Sequence, residues 1–482
     1  MLRDFIKDSA IYTLSIVLSR GINIILVPIY TRVFSPADYG IIDIMAVVSN
    51  LVNLTIALEI SQAVARFYAE MKAVEEKKDY VSTALWFTVI VNVIFVVVSQ
   101  YYCNTVGPWV LGDSYNETLF RVAIFSMAAN GIFYLFQNQL RWQLQSFHYA
   151  ITSVITVLVS VSVTITLIFG VGLGLISVFY GQLVGYTVGA VFSYCFARES
   201  YGLIFNRVSL KKMLAFSIPL VPSSIGVFLA VYIDRIAIKE LMTIADVGLY
   251  GIAYRISSLV GLIIAGVQSS LTPLIYNQYE EAGTPAEIAR IFRYFLWGAF
   301  LFFLGLSLFA RELLLIFTTP QFYGAYIIVP ILVPAVLLAG MYVFAPGLAI
   351  AKRTKSIAVI SISAAFLNTV LNFTLIPYLG IRGAAIATLV GAAMQFSLYV
   401  WLGNKYYPIP YDWKRYARAL SVIIFLVIGG GFIAVSLWIG FLVKLLIWVT
   451  GLILVTWIII DNAEINKMKK SILRKRDAKC VE

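Results

Sequence analysis

The chain has 482 residues, of which 61% are hydrophobic and only 12% charged, and its mean hydropathy is +0.90. Soluble domains are about 45–50% apolar and about 25% charged, so the composition excludes a soluble enzyme and predicts an integral membrane protein. The net charge of +12 does not require a nucleic-acid partner, because cytoplasmic loops of membrane proteins are rich in lysine and arginine.

Long apolar segments predict transmembrane helices, since a helical span needs roughly 20 apolar residues whereas barrel strands alternate in polarity. No loop between these segments is long enough to hold a soluble domain. The predicted fold class is an all-α integral membrane protein with about fourteen transmembrane helices. In chain order their boundaries are near 9–33, 41–64, 82–102, 118–140, 150–170, 174–197, 213–233, 247–275, 288–309, 325–348, 356–377, 382–403, 416–437 and 441–461.

An internal repeat divides these spans into two sets. Ser35–Val52, SPADYGIIDIMAVVSNLV, recurs as Thr243–Val260, TIADVGLYGIAYRISSLV, with seven of eighteen paired positions identical. Such a repeat indicates duplication of a six-helix unit. Six is an even number, so both repeats are predicted to point the same way and to be related by a pseudo-twofold axis along the membrane normal. The predicted domains are residues 1–212 (helices 1–6), 213–403 (helices 7–12) and 404–482 (helices 13–14 and a basic cytoplasmic tail).

The distribution of basic residues predicts the orientation. With the N-terminus in the cytoplasm, most of the 36 lysines and arginines fall in cytoplasmic loops or in the C-terminal tail. This distribution satisfies the positive-inside rule and predicts that both termini are cytoplasmic.

Two arginines, Arg20 and Arg255, fall inside predicted spans 1 and 8, near the membrane midplane. An arginine at the bilayer centre costs about 2.5–3.5 kcal/mol on insertion scales, so such residues usually face a partner or a wet cavity. Asn23 shares a face with Arg20, and span 2 offers Asn50 and Asn53. Two cations without a carboxylate at equal depth favour an anionic ligand. The alternative is that both arginines are structural and pair with carboxylates of the membrane interior.

Five further charged residues are candidates for a gate or for ion coupling. Asp43, Asp234 and Arg235 lie near the outer ends of their spans, where they could form an extracellular gate or a plain interfacial salt bridge. Glu59 and Arg66 share another face of span 2. Asp43 and Glu59 are the carboxylates that could exchange an ion, or that could pair with Arg20 or Arg255.

Enzymatic chemistry finds little support in the sequence. His148 is the only histidine, so metal sites and histidine-based triads lack ligands. No G-x-x-x-x-G-K motif occurs, which excludes an ATP-driven pump within this chain. We therefore expect no enzyme activity and no metal.

Four motifs in order resemble the polysaccharide flippases of the multidrug/oligosaccharidyl-lipid/polysaccharide exporter superfamily. They are LSRG at Leu18–Gly21, PIYTRVFSPADYG at Pro28–Gly40, ARFYAE at Ala65–Glu70 and NFTLIPYLGIRGAAIATLVG at Asn372–Gly391. The resemblance implies two six-helix lobes forming a V-shaped bundle around a cavity lined by spans 1, 2, 7 and 8. It also implies that an oligosaccharide on undecaprenyl pyrophosphate moves from the inner to the outer leaflet, with cavity arginines on the pyrophosphate.

The resemblance carries further expectations about mechanism and partners. It implies alternating access in a bacterial or archaeal cytoplasmic membrane, for O-antigen or exopolysaccharide synthesis. We expect no cofactor besides a proton or sodium gradient. The expected partners are the lipid-linked oligosaccharide and membrane lipids, with the polymerase and chain-length machinery as candidates, no nucleic acid, and a monomeric state. The alternatives are a lipid II flippase, a multidrug or cation antiporter of the same superfamily and, last, a membrane-embedded polysaccharide polymerase or ligase.

Overall fold

A computed structural model describes residue 21, residues 26–431 and residues 437–460. Arg20, Asn23 and the basic C-terminal tail lie outside the described residues. Within the described ranges the chain forms helices and no β-strand, in agreement with the predicted all-α class. The helices are α1 (Val27–Val33), α2 (Pro36–Thr55), α3 (Ile60–Glu70), α4 (Val74–Tyr101), α5 (Cys103–Leu111), α6 (Glu117–Trp142), α7 (Ser146–Thr166), α8 (Ile176–Ala197), α9 (Arg207–Ser217), α10 (Val221–Leu241), α11 (Ile244–Ser257), α12 (Val260–Gln278), α13 (Thr284–Leu308), α14 (Ala310–Phe317), α15 (Val329–Gly340), α16 (Gly347–Ile350), α17 (Thr354–Leu379), α18 (Ile381–Gly403), α19 (Trp413–Gly431) and α20 (Leu437–Ile459).

Eleven helical segments of the described chain are long and apolar enough to cross a membrane. The number rises to twelve if α11 and α12, which meet at a bend of 49°, form one span. The predicted span near 416–437 falls on α19, whose first turns carry Lys414, Arg415 and Arg418 and are therefore too polar for this test. The first predicted span lies largely outside the described residues. The total of fourteen stays a prediction.

The second predicted span is broken where the sequence suggests one continuous helix. α2 ends at Thr55 and α3 begins at Ile60. Between them Leu58 and Glu59 adopt the left-handed conformation, with φ of 49° and 54°. For residues other than glycine this conformation is strained and persists only where the surrounding packing imposes it. The break therefore reflects tertiary structure, since the segment contains neither glycine nor proline.

The two copies of the sequence repeat begin their helices in the same way. Ser35 caps α2 through a capping box, in which its hydroxyl accepts a hydrogen bond from the Asp38 amide and the Asp38 carboxylate accepts one from the Ser35 amide. Thr243 and Asp246 make the same pair of hydrogen bonds at the start of α11. The shared Ala-Asp turn is thus explained by helix capping, which fixes the first turn of each copy.

The chain divides into two compact units: Met1–Ile252 with Asn368–Ala384, and Ala253–Leu367 with Ala385–Glu482. The boundary runs through α11, α17 and α18, so it does not follow the sequence repeat. The division into 1–212, 213–403 and 404–482 rests on the repeat and stays a prediction.

In the first unit, the segment that follows α8 is tied to the start of α4. The Gly202 amide donates a hydrogen bond to the Ser82 hydroxyl at 2.8 Å, and the Asn206 amide donates to the Thr83 hydroxyl at 3.0 Å. The Asn206 side chain also donates to Asp79 at 3.1 Å. Ser82 and Thr83 are fully buried, so these bonds hold residues 202–206 firmly against α4.

In the second unit, polar contacts hold the last helix against α13 and α14. Lys444 of α20 forms an ion pair with Glu312 of α14 at 2.6 Å, and both side chains are largely buried. The Trp448 indole donates a hydrogen bond to the Leu301 carbonyl at 3.2 Å. A largely buried charge pair of this kind is stable only while both partners are present.

Candidate functional site

The N-terminal halves of α2 and α11 meet in a close contact, here called the glycine seam and defined by Gly40, Gly248 and Gly251. A Cβ atom on Gly40 would lie 1.8 Å from the Ile244 carbonyl oxygen. A Cβ atom on Gly248 would lie 1.9 Å from the Pro36 carbonyl oxygen. Only glycine permits backbones to approach this closely.

The contacts of the glycine seam are reciprocal. Gly248 is the repeat counterpart of Gly40, and Ile244 is the counterpart of Pro36, each 208 positions further along the chain. Gly40 of the first copy packs on Ile244 of the second copy, and Gly248 of the second copy packs on Pro36 of the first, so the two contacts are equivalent. Reciprocal contact of this kind is the mark of a twofold relation. It places a local pseudo-twofold axis between α2 and α11, which both begin on the same side.

Asp43 is located at this seam. Its carboxylate lies where a side chain of Gly251 would be: a Cβ atom on Gly251 would be 1.9 Å from Asp43 Oδ2. Gly251 is itself the repeat counterpart of Asp43. The site is thus asymmetric, with a carboxylate on one helix and the space for it on the other. Asp43 is only 7% exposed, so the charge is buried at the seam.

A buried ion pair lies on the neighbouring helix α10, which packs against α2. Asp234 and Arg235 form an ion pair at 3.3 Å and are 3% and 7% exposed. The fully buried Tyr250 of α11 donates a hydrogen bond to the second oxygen of Asp234 at 2.5 Å. The Arg235 guanidinium also lies 5.7 Å from the Tyr232 ring and 5.6 Å from the Tyr250 ring.

Three of the predicted gate residues thus lie where α2, α10 and α11 meet. Asp43 of α2 lies against Gly251 of α11, and Asp234 of α10 accepts a hydrogen bond from Tyr250 of α11. If α11 moved away, the buried carboxylates would lose the groups of α11 that they contact. Uncompensated charge would then remain in a medium of low dielectric constant, which is costly, so these carboxylates favour the contact. The arrangement is chemically suited to a latch between α2, α10 and α11.

Glu59 and Asn53 lie apart from the seam, at the break between α2 and α3. Both line a small cavity of about 20 Å³, with Thr88 and Asn92 of α4 and Gly131 of α6. Thr88 and Asn92 are 1% and 4% exposed, and Glu59 is 9% exposed. Polar side chains of α2, of the break and of α4 thus meet in one small cavity, which apolar residues such as Val52 and Leu135 also line.

The remaining predicted residues are placed as follows. Asn50 is exposed and its side chain donates to the Ala46 carbonyl of its own helix. Arg66 is half exposed, pairs with Glu70 at 2.9 Å and stacks over Phe216. Arg255 is half-buried on α11, one helical turn after Gly251. Arg20 and Asn23 lie outside the described residues, so their roles stay predictions.

Sequence reasoning did not single out Tyr250, Thr88, Asn92 or Gly131. The spacing of Thr88 and Asn92, four residues apart in an otherwise apolar helix, is a signal that could have indicated a shared polar face. Tyr250 carried no such signal, because a tyrosine in a membrane helix usually marks an interface.

A large cavity in the second unit offers no polar site. It measures about 690 Å³ and lies between α13, α15, α18 and α19. Side chains such as Phe292, Leu296, Phe300 and Ile424 line it, so a charged or sugar-like group would find almost no hydrogen-bonding partner there.

Comparison with known proteins agrees with this architecture. A profile of the family described as "Polysaccharide biosynthesis protein" matches residues 29–275. Among solved structures, an inward closed lipid II flippase, MurJ, superposes with a TM-score of 0.75 at 17% identity, covering 92% of this chain and 97% of that one. No curated protein sequence matches significantly.

Multidrug resistance transporters of the MATE family, in the MOP superfamily, share the fold as well. An inward-facing one gives a TM-score of 0.62 at 15% identity, covering 82% of this chain and 94% of that one. An outward-facing one gives a TM-score of 0.58 at 16% identity, covering 83% and 95%. At these identities the likeness establishes the fold, and every structure named here is a transporter or flippase rather than an enzyme.

Proposed function

The chain belongs to the polysaccharide biosynthesis protein family of the exporter superfamily, and on that premise we propose that it moves an oligosaccharide linked to undecaprenyl pyrophosphate from the inner to the outer leaflet of the cytoplasmic membrane. The observation that carries the proposal is the family match over residues 29–275, combined with a fold shared with lipid and drug exporters. O-antigen and exopolysaccharide repeat units are the substrates of this chemistry.

Binding of the pyrophosphate is assigned to Arg20 and Arg255. Arginine offers a planar fork that binds phosphate oxygens in a bidentate manner and stays charged inside the membrane. Attraction in a low-dielectric cavity offsets the hydration that the phosphates lose. Asn23 and Asn50 supply uncharged hydrogen-bonding groups suited to sugar hydroxyls, whereas Asn53, predicted for the same role, lines the cavity beside Glu59.

Alternating access supplies the mechanism. In this scheme α2 and α11 separate at the glycine seam on the outer side, and their buried charges close it again once the substrate has left. Asp43 and the Asp234–Arg235 pair act as the extracellular gate. Arg66 lies on α3, towards the other end of the predicted second span, where its charge is exposed and paired with Glu70; we assign it to a gate at that end.

A reconstitution experiment tests the substrate. Purified protein in liposomes should make lipid-linked oligosaccharide, initially confined to the inner leaflet, accessible to a membrane-impermeant glycosidase. Lipid II should be a poor substrate in the same assay. Preferential translocation of lipid II would instead favour that alternative, and export of organic cations alone would favour the multidrug one.

The orientation is tested by cysteine labelling on intact cells. Cysteines at Asp113 and Pro320, both exposed, should react with an impermeant thiol reagent, whereas cysteines at Val74, Lys212 and Thr354 should react only after the membrane is permeabilised. Labelling of Lys212→Cys on intact cells, with Asp113→Cys protected, would contradict the six-plus-six arrangement and the cytoplasmic termini.

The proposal includes partners. The protein acts as a monomer beside the polymerase and the chain-length machinery, which receive the substrate at the outer leaflet. A proton or sodium gradient drives the cycle, with Glu59 and Asp43 as the carboxylates that can respond to it.

A further inference from the structure

Several side chains that carry oxygen atoms line the cavity at the break between α2 and α3, among them Glu59, Asn53, Thr88 and Asn92. Glu59 lies in this cavity, is 9% exposed and makes no side-chain hydrogen bond or ion pair among the described residues. A buried carboxylate without such a partner is costly, so it must be neutralised by a proton or by a bound cation.

Two amide oxygens approach one position in the same cavity. The position of a Cβ atom on Gly131 would be 3.1 Å from Asn92 Oδ1 and 3.3 Å from Asn53 Oδ1. The Asn92 amide nitrogen donates to the Thr88 carbonyl at 2.8 Å, which leaves Asn92 Oδ1 free to act as an acceptor. Both amide oxygens therefore lie within 3.3 Å of one position beside Gly131, where a larger residue would displace them.

Thr88 supplies a fourth oxygen. Its hydroxyl is buried and has no hydrogen-bond partner among the described residues. An unsatisfied buried hydroxyl is rare and calls for a ligand. It lines the same cavity as the two asparagines and Glu59.

We propose that Glu59, Asn53, Asn92 and Thr88 form a binding site for one sodium ion. All the ligands are oxygens, which suit hard cations, and one carboxylate neutralises a single positive charge. A cavity of about 20 Å³ accepts one particle of the size of a water molecule. The described residues contain no group of three histidine, cysteine or carboxylate side chains that would bind a transition metal. The site deepens the proposed function, because it identifies the coupling ion on which the transport cycle would depend.

Binding is tested on the purified full-length protein without any lipid-linked substrate, by equilibrium binding of radioactive sodium and by thermal melting in sodium, potassium or choline chloride. Sodium should bind at one ion per protein and raise Tm by several degrees over choline, with potassium less effective. Glu59→Gln should abolish both effects. Glu117→Gln, an exposed carboxylate on the helix that carries Gly131, is the matched control and should bind sodium as the parent does.

Thr88→Val separates the ion site from a purely structural role. Removing an unsatisfied hydroxyl should leave Tm in choline unchanged or raised, whereas sodium affinity should fall by about tenfold or more. It also keeps the proposal testable if Glu59→Gln fails to fold. Equal stabilisation by sodium and choline, or parental sodium affinity in Thr88→Val, would overturn the proposal.

The transport assay distinguishes this failure from failure of the proposed function. Sodium-independent transport of lipid-linked oligosaccharide by a protein that binds no sodium refutes the ion site and leaves the flippase standing. Sodium binding without any such transport supports the ion site and refutes the flippase.

Discussion

Replacing both Arg20 and Arg255 by alanine should abolish surface polysaccharide while leaving normal amounts of protein in the membrane. Under the proposed function, positive charge inside the membrane holds the pyrophosphate, and removing such a charge relieves an insertion cost of about 2.5–3.5 kcal/mol per arginine. Lysine at the same positions should retain part of the activity, since it keeps the charge but lacks the planar fork. The measurements are surface polysaccharide and protein abundance in the same cells.

Arg121→Ala is the matched control for this pair. Arg121 is half exposed, pairs with Glu117 at 2.8 Å and donates to Gln100 at 3.0 Å. Loss of these surface contacts should change neither quantity by much. If the intramembrane arginines are structural, alanine should instead lower protein abundance, and additional loss of Asp43 or Glu59 should restore it. Full export by the Arg20→Ala, Arg255→Ala variant at normal abundance would refute the binding role.

A methyl group at the glycine seam should disable the protein through packing alone. In Gly248→Ala the new Cβ would lie 1.9 Å from the Pro36 carbonyl oxygen, so α2 and α11 must move apart. Overpacking of this kind typically costs about 1–3 kcal/mol. We expect a lower Tm of the purified protein and reduced export. Gly226→Ala on α10 meets no atom within 4 Å and should be neutral or stabilising by up to about 1 kcal/mol, because alanine favours a helix.

The repeat offers a sharper version of this experiment. Gly251→Asp alone should be more damaging than Gly248→Ala, because it adds a side chain and places a second carboxylate against Asp43. Combining it with Asp43→Gly moves the carboxylate to the counterpart position across the local pseudo-twofold axis and should recover much of the lost Tm. No recovery in the double variant would show that the two positions are not equivalent.

Several features of the seam could be predicted from the repeat, and several could not. The sequence match identified Gly40 and Gly248 as counterparts, and the Ala-Asp turn indicated that two helices begin alike. Neither showed that the two copies touch each other, since helical periodicity states which residues share a face but not which helix that face meets. The predicted outer-end group of Asp43, Asp234 and Arg235 is consistent with the seam, whereas the contact with Tyr250 became visible only in the fold.

The cavity around Glu59 is a feature that no local sequence pattern predicts. Without glycine or proline between Thr55 and Ile60, the sequence predicts a continuous helix, and the left-handed residues Leu58 and Glu59 carry no local signal. The sequence predicts that Glu59 faces the transport pathway or pairs with Arg20, which lies outside the described residues. Among the described residues Glu59 shares its cavity with two asparagines and a threonine, and two of these three come from a helix about thirty residues further along the chain.

By itself the sequence determined that this is a multi-pass membrane protein of apolar helices, and it located the repeated segment and the charged residues. These properties follow from composition, local periodicity and capping, each of which acts within a few turns of helix. Tertiary structure alone decided that Gly251 leaves space for Asp43, that Gly131 leaves space between Asn53 and Asn92, and that the second span breaks. Those outcomes depend on the close packing of residues far apart in the chain, and no local preference encodes which surfaces will meet.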